Sequence, residues 1–469
     1  MIVLVLLFWG VVSALDIQHI VFVIISQNNK YNLNLAQNLE YNIRTQSERI
    51  FNVSPVIHIS NKDFPDIDGW IFSPLFPKLT DLYSNNAYWI FFLQDYTNIK
   101  VENILEVFEK YDHNEEIWFG DALFDKAATI IHHFAFYENP TFFKYPNVAS
   151  GFAISISLLR KLSERWTDNK LLSSNFNIDS GYELARVVWN DGNGPMLQHE
   201  NSLCSRSFDE KPVSQLCISF PSPIPTCDNL VPRSSIYFAV KTCTKFHKDR
   251  VPIVQQTWGR HISIIKFFSD TEDKSIPTID LGVPNSETGH CMKTIAILKY
   301  VLEDIKHNDS IKWIVVADDD TILGVKNLER LLSCYDSSEK ICLGERYGYE
   351  LRDPGGYNYI TGGGGMVFSR PLLIELVKRC SCPSLNTPDD MYLGICMARM
   401  NVAVTHSPAF HQARPQDYSP RFLETYRPVS FHKHYMIDPV NVYKQWFESS
   451  DITNTNELNE TKIEVHNEL

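Results

Sequence analysis

No cluster of basic residues occurs anywhere in this chain of 469 residues, whose formal net charge is −13. The electrostatic footprint of a nucleic-acid binder is therefore missing, which argues against DNA or RNA as a partner. A long apolar run is missing too. The best candidate, Ile2 to Val12, falls well short of the roughly 20 apolar residues that a membrane-spanning helix needs. It leads into Val12-Ser-Ala14, a small-residue cleavage pattern, so residues 1–14 read as a signal peptide and the mature chain is expected to start near Leu15 without a transmembrane anchor. Cysteine does not occur before Cys204, and all ten cysteines lie between Cys204 and Cys396. That distribution allows up to five disulfides in an oxidising compartment, and the Cys380/Cys382 pair lacks the second close pair that a zinc site would require.

What is present points to two folded units. A hydrophobic fraction of 44% with 12% aromatics excludes a disordered chain, and on a soft scale of about 150 residues per domain the length supplies two cores. Strand and helix patterns alternate in both halves, the signature of α/β layers on mostly parallel sheets. The halves also repeat each other. Tyr88-Trp-Ile-Phe-Phe-Leu-Gln-Asp-Tyr-Thr97 matches Lys312 to Thr321 at an offset of 224 (313 − 89). Tyr145 to Ser155 then matches Tyr359 to Ser369 at an offset of 214, and Ile178-Asp-Ser-Gly-Tyr182 matches Pro388-Asp-Asp-Met-Tyr392 at 210. The expected organisation is a first domain over residues 15–200, a Ser/Pro-rich linker over 201–234, a second domain over 235–447, and a polar, flexible tail over 448–469.

The second copy carries the chemistry. Trp313-Ile-Val-Val-Ala is a β-branched run that ends in Asp318-Asp319-Asp320, placing hard oxygen ligands at a sheet edge where a divalent cation and a diphosphate can meet. Gly362 to Gly365 marks backbone that must approach something closely. Pro388-Asp389-Asp390 opens a helix, so each carboxylate is a candidate general base and also a candidate helix cap. The repeat helps to choose between them: the first copy keeps Asp179 at the position of Asp389 and has Ser180 at that of Asp390. Asp390 is therefore the expected base, with Asp389 in reserve. The first copy also turns the acidic triplet into Gln94-Asp95-Tyr96 and the glycine run into Val148-Ala-Ser-Gly151, which reads as a fold retained with its catalysis lost.

Phe238-Ala-Val-Lys-Thr-Cys243 with His247 and Arg250, Thr257-Trp258, Phe268-Ser-Asp270, the Asp triplet, the glycine run, Pro388-Asp-Asp390 and Phe410-His411 occur in one order over about residues 235 to 447. This ordered set resembles the fringe-type β-1,3-glycosyltransferases. The resemblance implies a GT-A-type fold with the second copy catalytic, and the repeat makes the first a degenerate tandem copy of it. It implies Mn²⁺, replaceable by Mg²⁺, held by Asp320 and His411 with support from Asp318. It also implies a UDP-sugar held by Lys241, Thr242, Arg250, Asp270, Asp318, Asp319, Gly363 and Gly364.

The chain ends His466-Asn-Glu-Leu469, similar to retrieval signals of the endoplasmic reticulum and expected to engage their receptor. Together with the signal peptide and the silent copy, it points within the family to transfer of glucose from UDP-glucose to the 3-hydroxyl of O-linked fucose on thrombospondin type 1 repeats, in the lumen of the endoplasmic reticulum. Galactosyl or N-acetylglucosaminyl transfer is the nearer alternative, and a noncatalytic lectin or quality-control factor the farther one. Asn308 and Asn459 stand in glycosylation sequons.

Overall fold

A computed structural model describes residues 15–168, 175–205, 214–222, 227 and 229–452. The expected signal peptide, the terminal tetrapeptide and Asn459 lie outside the described residues. Each half is built on one mixed, mostly parallel sheet. The first has six strands in the order Gln198–His199, Trp118–Gly120, Phe152–Ser155, Trp89–Gln94, Ile20–Ile25, Val56–Ile59. The second has seven, in the order Thr405–His406, Cys342–Gly344, Met366–Ser369, Trp313–Asp318, Ile236–Lys241, Ile265–Ser269, Thr278–Asp280. In both sheets the third strand runs antiparallel to its two neighbours, and every other pair is parallel. The central strands are buried over nearly their whole length, as Ile-Val-Phe-Val-Ile-Ile25 and Trp-Ile-Val-Val-Ala317 require when helices and loops pack on both faces.

The repeat holds at the level of register. Trp89 faces Ser155 and Trp313 faces Ser369, so the pairing carries the offsets of 224 (313 − 89) and 214 (369 − 155) into space. The two copies also share their hydrogen bonds. Thr97 Oγ1 receives the Gln94 amide at 3.1 Å and donates to the Ala149 carbonyl at 2.8 Å. Thr321 Oγ1 receives the Asp318 amide at 3.0 Å and donates to the Gly363 carbonyl at 2.8 Å.

Two expected boundaries move. Residues 201–234 are no simple linker, because Ser219–Pro221 pairs antiparallel with Thr97–Ile99, as Ser430–His432 does with Thr321–Leu323. Ser219-Phe-Pro221 thus extends the repeat over Ser430-Phe-His432, and the first half runs past residue 200. Its short strand went unread because a Ser/Pro-rich stretch carries turn chemistry and too few residues for an alternation. At the other end Asp451 is buried, accepting the Lys326 amide at 2.8 Å and the Tyr443 hydroxyl at 2.9 Å. The second half therefore continues beyond Phe447.

The halves form one body. Phe176–Asn177, from the first, pairs with Arg346–Tyr349 of the second, and Gln27 bonds His406 in both directions at 3.0 and 2.7 Å. Four disulfides join Cys204 to Cys217, Cys227 to Cys334, Cys291 to Cys382 and Cys380 to Cys396, while Cys243 and Cys342 are buried free thiols. Among the described residues no helix is long and apolar enough to cross a membrane.

Candidate active site

The strands Ile236–Lys241 and Trp313–Asp318 lie side by side with Lys241 opposite Asp318, so their carboxyl ends deliver Lys241, Thr242 and the Asp triplet to one edge. A cavity of about 110 Å³ opens there, lined by Lys241, Thr242, Arg250, Lys293 and the three aspartates. The triplet divides its labour. Asp319 turns inward, accepting the Thr242 hydroxyl at 2.7 Å and Arg250 at 3.0 Å. Burial pushes it up to about 6 despite these donors. Asp318 and Asp320 meet His432, and the ligand atoms of the three lie within 4.8 Å of one another. Among the described residues this is the one cluster of three or more His, Cys, Asp or Glu side chains close enough to share a metal ion, and two carboxylates with an imidazole suit a hard or borderline divalent cation. His432 Nε2 stands 3.1 Å from Asp320, and Arg250 reaches Asp320 at 2.8 Å. Burial works against the Asp320 anion, but His432 and Arg250 together hold its carboxyl well below the usual range.

The expected histidine is elsewhere. His411 is buried, its Nδ1 bonded to the Ser430 carbonyl at 2.9 Å and its ring stacked on Phe431, and it does not belong to the carboxylate group. Burial lowers it to about 4 and keeps it neutral. The dipeptide Phe-His occurs at Phe246-His247, Phe410-His411 and Phe431-His432, and the last of these lies on the strand that pairs with Thr321–Leu323. That pairing places His432 directly opposite Thr321, next to the triplet. The recurrence of the dipeptide downstream of Phe410-His411 is the signal that would have found it. His434, two residues on, was also missed; burial lowers it to about 4 while Asp320 pulls the other way.

The glycine run serves the same histidine. A Cβ on Gly363 would overlap the His432 ring, and one on Gly364 would press on the backbone of His411 and Gln412. The close approach at these two positions is thus made to the protein's own chain. In the first copy Pro221 stands at the position of His432 and Ala149 at that of Gly363, so ring and glycine are lost together. With Gln94 and Tyr96 at the other two ligand positions, no member of the metal group survives there.

Pro388-Asp389-Asp390 opens the helix Asp389–Arg399 beside this edge. Asp389 Oδ2 lies 2.6 Å from Lys241 and accepts the Thr294 hydroxyl at 2.6 Å. Lys241 also reaches Asp318 at 3.0 Å, so it ties the helix to the triplet instead of standing free for a phosphate. Burial alone would raise the Asp389 carboxyl, but Lys241 depresses it below its ordinary value. Among the described residues Asp390 has only backbone donors, the Met391 amide at 2.7 Å and the Gly362 amide at 3.3 Å. Burial and the neighbouring Asp389 charge raise its affinity for a proton, the condition a general base needs. Asp270 accepts the Thr244 amide at 2.9 Å and orders that turn; it does not line the cavity.

A family model described as Fringe-like matches residues 231–457. Over 438 residues the chain is 45% identical to mouse "Beta-1,3-glucosyltransferase", covering 93% of this chain and 88% of that protein. It belongs to the Fringe-like glycosyltransferases. More distant members match only part of it. Human "Beta-1,3-N-acetylglucosaminyltransferase lunatic fringe" is 28% identical over 211 residues, covering 40% of this chain and 55% of its own length. A Xenopus laevis "Glycoprotein-N-acetylgalactosamine 3-beta-galactosyltransferase 1" is 30% identical over 158 residues, covering 33% and 42%. The Fringe-like match falls on the half that holds the metal group and Asp390, whereas the glucosyltransferase match spans both halves.

Proposed function

We propose that this protein is an inverting, metal-dependent glucosyltransferase that carries glucose from UDP-glucose to the 3-hydroxyl of O-linked fucose on thrombospondin type 1 repeats. On this reading the second half is a GT-A catalytic domain and the first its degenerate twin. The supporting observation is the gathering of Asp318, Asp320 and His432 at one sheet edge, where Lys241 joins Asp318 to Asp389, the residue before the base-like Asp390. Asp390 takes the proton from the fucose 3-hydroxyl as its oxygen bonds to the anomeric carbon. The bond from that carbon to the UDP oxygen breaks, and attack from the opposite face turns an α-linked donor into a β-linked product. A divalent cation, Mn²⁺ or in its place Mg²⁺, would be held by Asp318, Asp320 and His432 and supply positive charge against the departing diphosphate. Arg250 and Lys293 line the same cavity, and on this reading they meet the donor's phosphates, Arg250 while bridging Asp319 and Asp320. The four disulfides support a secretory-pathway address, within which the terminal His-Asn-Glu-Leu favours the endoplasmic reticulum lumen and its retrieval receptor. Asn308 is exposed there for glycosylation.

The test is mass spectrometry of a folded, O-fucosylated thrombospondin type 1 repeat incubated with the protein, Mn²⁺ and each UDP-sugar separately. A hexose gain with UDP-glucose alone is expected. Gain only with UDP-galactose or UDP-N-acetylglucosamine would retain the chemistry and replace the donor, and UDP binding without transfer from any donor would favour the lectin reading.

A further inference from the structure

A second cavity is larger than the one at the Asp triplet. It has a volume of about 390 Å³ and lies between the halves, within the size range of sites for small organic ligands. One wall is the carboxyl edge of the first sheet, where Ser26, Gln27 and Asn28 follow the strand Ile20–Ile25. Ser26 is the counterpart of Thr242: its hydroxyl bonds Asp95 at 3.1 Å as that of Thr242 bonds Asp319 at 2.7 Å. The cavity thus sits at the place in the first copy that the catalytic cavity occupies in the second. Its opposite wall is supplied by the second half, through Arg346, Tyr357, Asn358 and the helix Asp389–Arg399 at Gly394 and Ala398.

Asn61, Asn358 and Arg346, which line this cavity, each keep one covered polar atom without a hydrogen-bond partner, Oδ1, Oδ1 and Nε. Arg346 is only 9% exposed, its guanidinium stacked 4.5 Å over Trp70. Asp66 and Asp68 line the same space against the single cation Arg346, a balance that disfavours phosphate. Gln94, Tyr96 and Pro221 in place of metal ligands remove the cation that would offset one. What remains is amides with carboxylates beside the ring of Tyr357. Hydroxyls that both donate and accept match such a set, and a pyranose face packs on a tyrosine ring.

We propose that this inter-half cavity binds a neutral saccharide, making the first half a sugar-binding module. The inference does not depend on the catalytic reading, because none of its residues belongs to the metal group or to Asp390. The consequence for the enzyme is mechanical: the helix whose first turn bears Asp390 carries its later turns along the wall of the cavity, so an occupant contacts the element that positions the base.

Saturation-transfer NMR of the full chain with the methyl glycosides of glucose, galactose, mannose and fucose tests this. At least one glycoside should give a signal that survives Asp320→Asn and falls at least tenfold in Asn61→Leu. Ala403→Trp, at an exposed rim position, should abolish the same signal without changing the melting temperature, which covers the case in which Asn61→Leu misfolds. No signal from any glycoside would overturn the proposal. So would a signal lost in Asp320→Asn but untouched by Ala403→Trp, since the sugar would then occupy the catalytic cavity.

Discussion

Asp389 and Asp390 are adjacent in sequence and opposite in chemistry. One oxygen of Asp389 accepts from both Lys241 and Thr294, whereas Asp390 meets only two backbone amides and feels its neighbour's charge. Asp390→Asn should therefore lower kcat by about 10²- to 10⁴-fold, the usual share of a general base, while UDP binding by calorimetry stays unchanged. The sign for pH follows from the raised proton affinity. Only the ionised carboxylate can accept a proton, so the acid limb of kcat/KM should lie above the ordinary aspartate value of about 4. The same raised affinity means that ionising Asp390 works against folding. At pH 7 Asp390→Asn should melt higher than the parent, and the gain should vanish below the ordinary aspartate pKa, where both states are protonated; thermal melts at the two pH values read this directly. The two histidines separate as cleanly. His432→Ala should remove Mn²⁺ binding, measured by titration calorimetry, and His411→Ala should leave it intact. The Asp triplet was legible because three acids in a row at the end of a buried apolar strand repel one another unless a cation or a basic side chain meets them, and the preference for Asp390 over Asp389 came from the repeat. His432 was not singled out because identical dipeptides differ only in strand pairing, which short-range pattern does not encode.

At the scale of elements, the loop Gly362 to Gly365 and the strand Ser430–His432 form a fitted pair. Gly363 leaves room for the His432 ring, Ser430 Oγ donates to the Gly364 carbonyl, and Thr321 Oγ1 clamps the Gly363 carbonyl. Gly363→Ala should displace the imidazole, weakening Mn²⁺ affinity at least tenfold with little change in melting temperature. Ala149→Gly, its counterpart in the first half, should leave Mn²⁺ affinity unaltered. The strands themselves were readable from apolar runs, and the repeat offsets carry over to the pairing, which sets Trp89 opposite Ser155 and Trp313 opposite Ser369. Short pieces were not. Ser219–Pro221 has three residues and Phe176–Asn177 two, lengths at which tertiary pairing, not propensity, decides the conformation.

For the whole molecule, the central question is whether the halves are separable, as a two-domain reading of the sequence implies. The structure joins them by more than a tether. Phe176–Asn177 completes a three-stranded sheet whose other two strands, Arg346–Tyr349 and Tyr357–Ile360, belong to the second half. Tyr31 packs edge-on against Tyr335 with ring centroids 5.1 Å apart, Arg421 pairs with the fully buried Asp121 at 2.6 Å, and Gln27 caps the last strand of the second sheet at His406. Removing residues 15–222 would leave Arg346, which is buried against Trp70 of the first half, and the edge of the short sheet without partners. Unpaired strand edges and a bared charge of this kind favour aggregation over folding. The full chain should accordingly unfold in a single calorimetric transition, and a fragment over residues 223–452 should fail to give a soluble, cooperatively melting protein. Two resolved transitions, or a fragment that melts cooperatively and binds UDP with the parent's affinity, would show that the first half is dispensable for the fold of the second and that the contacts between them serve binding alone.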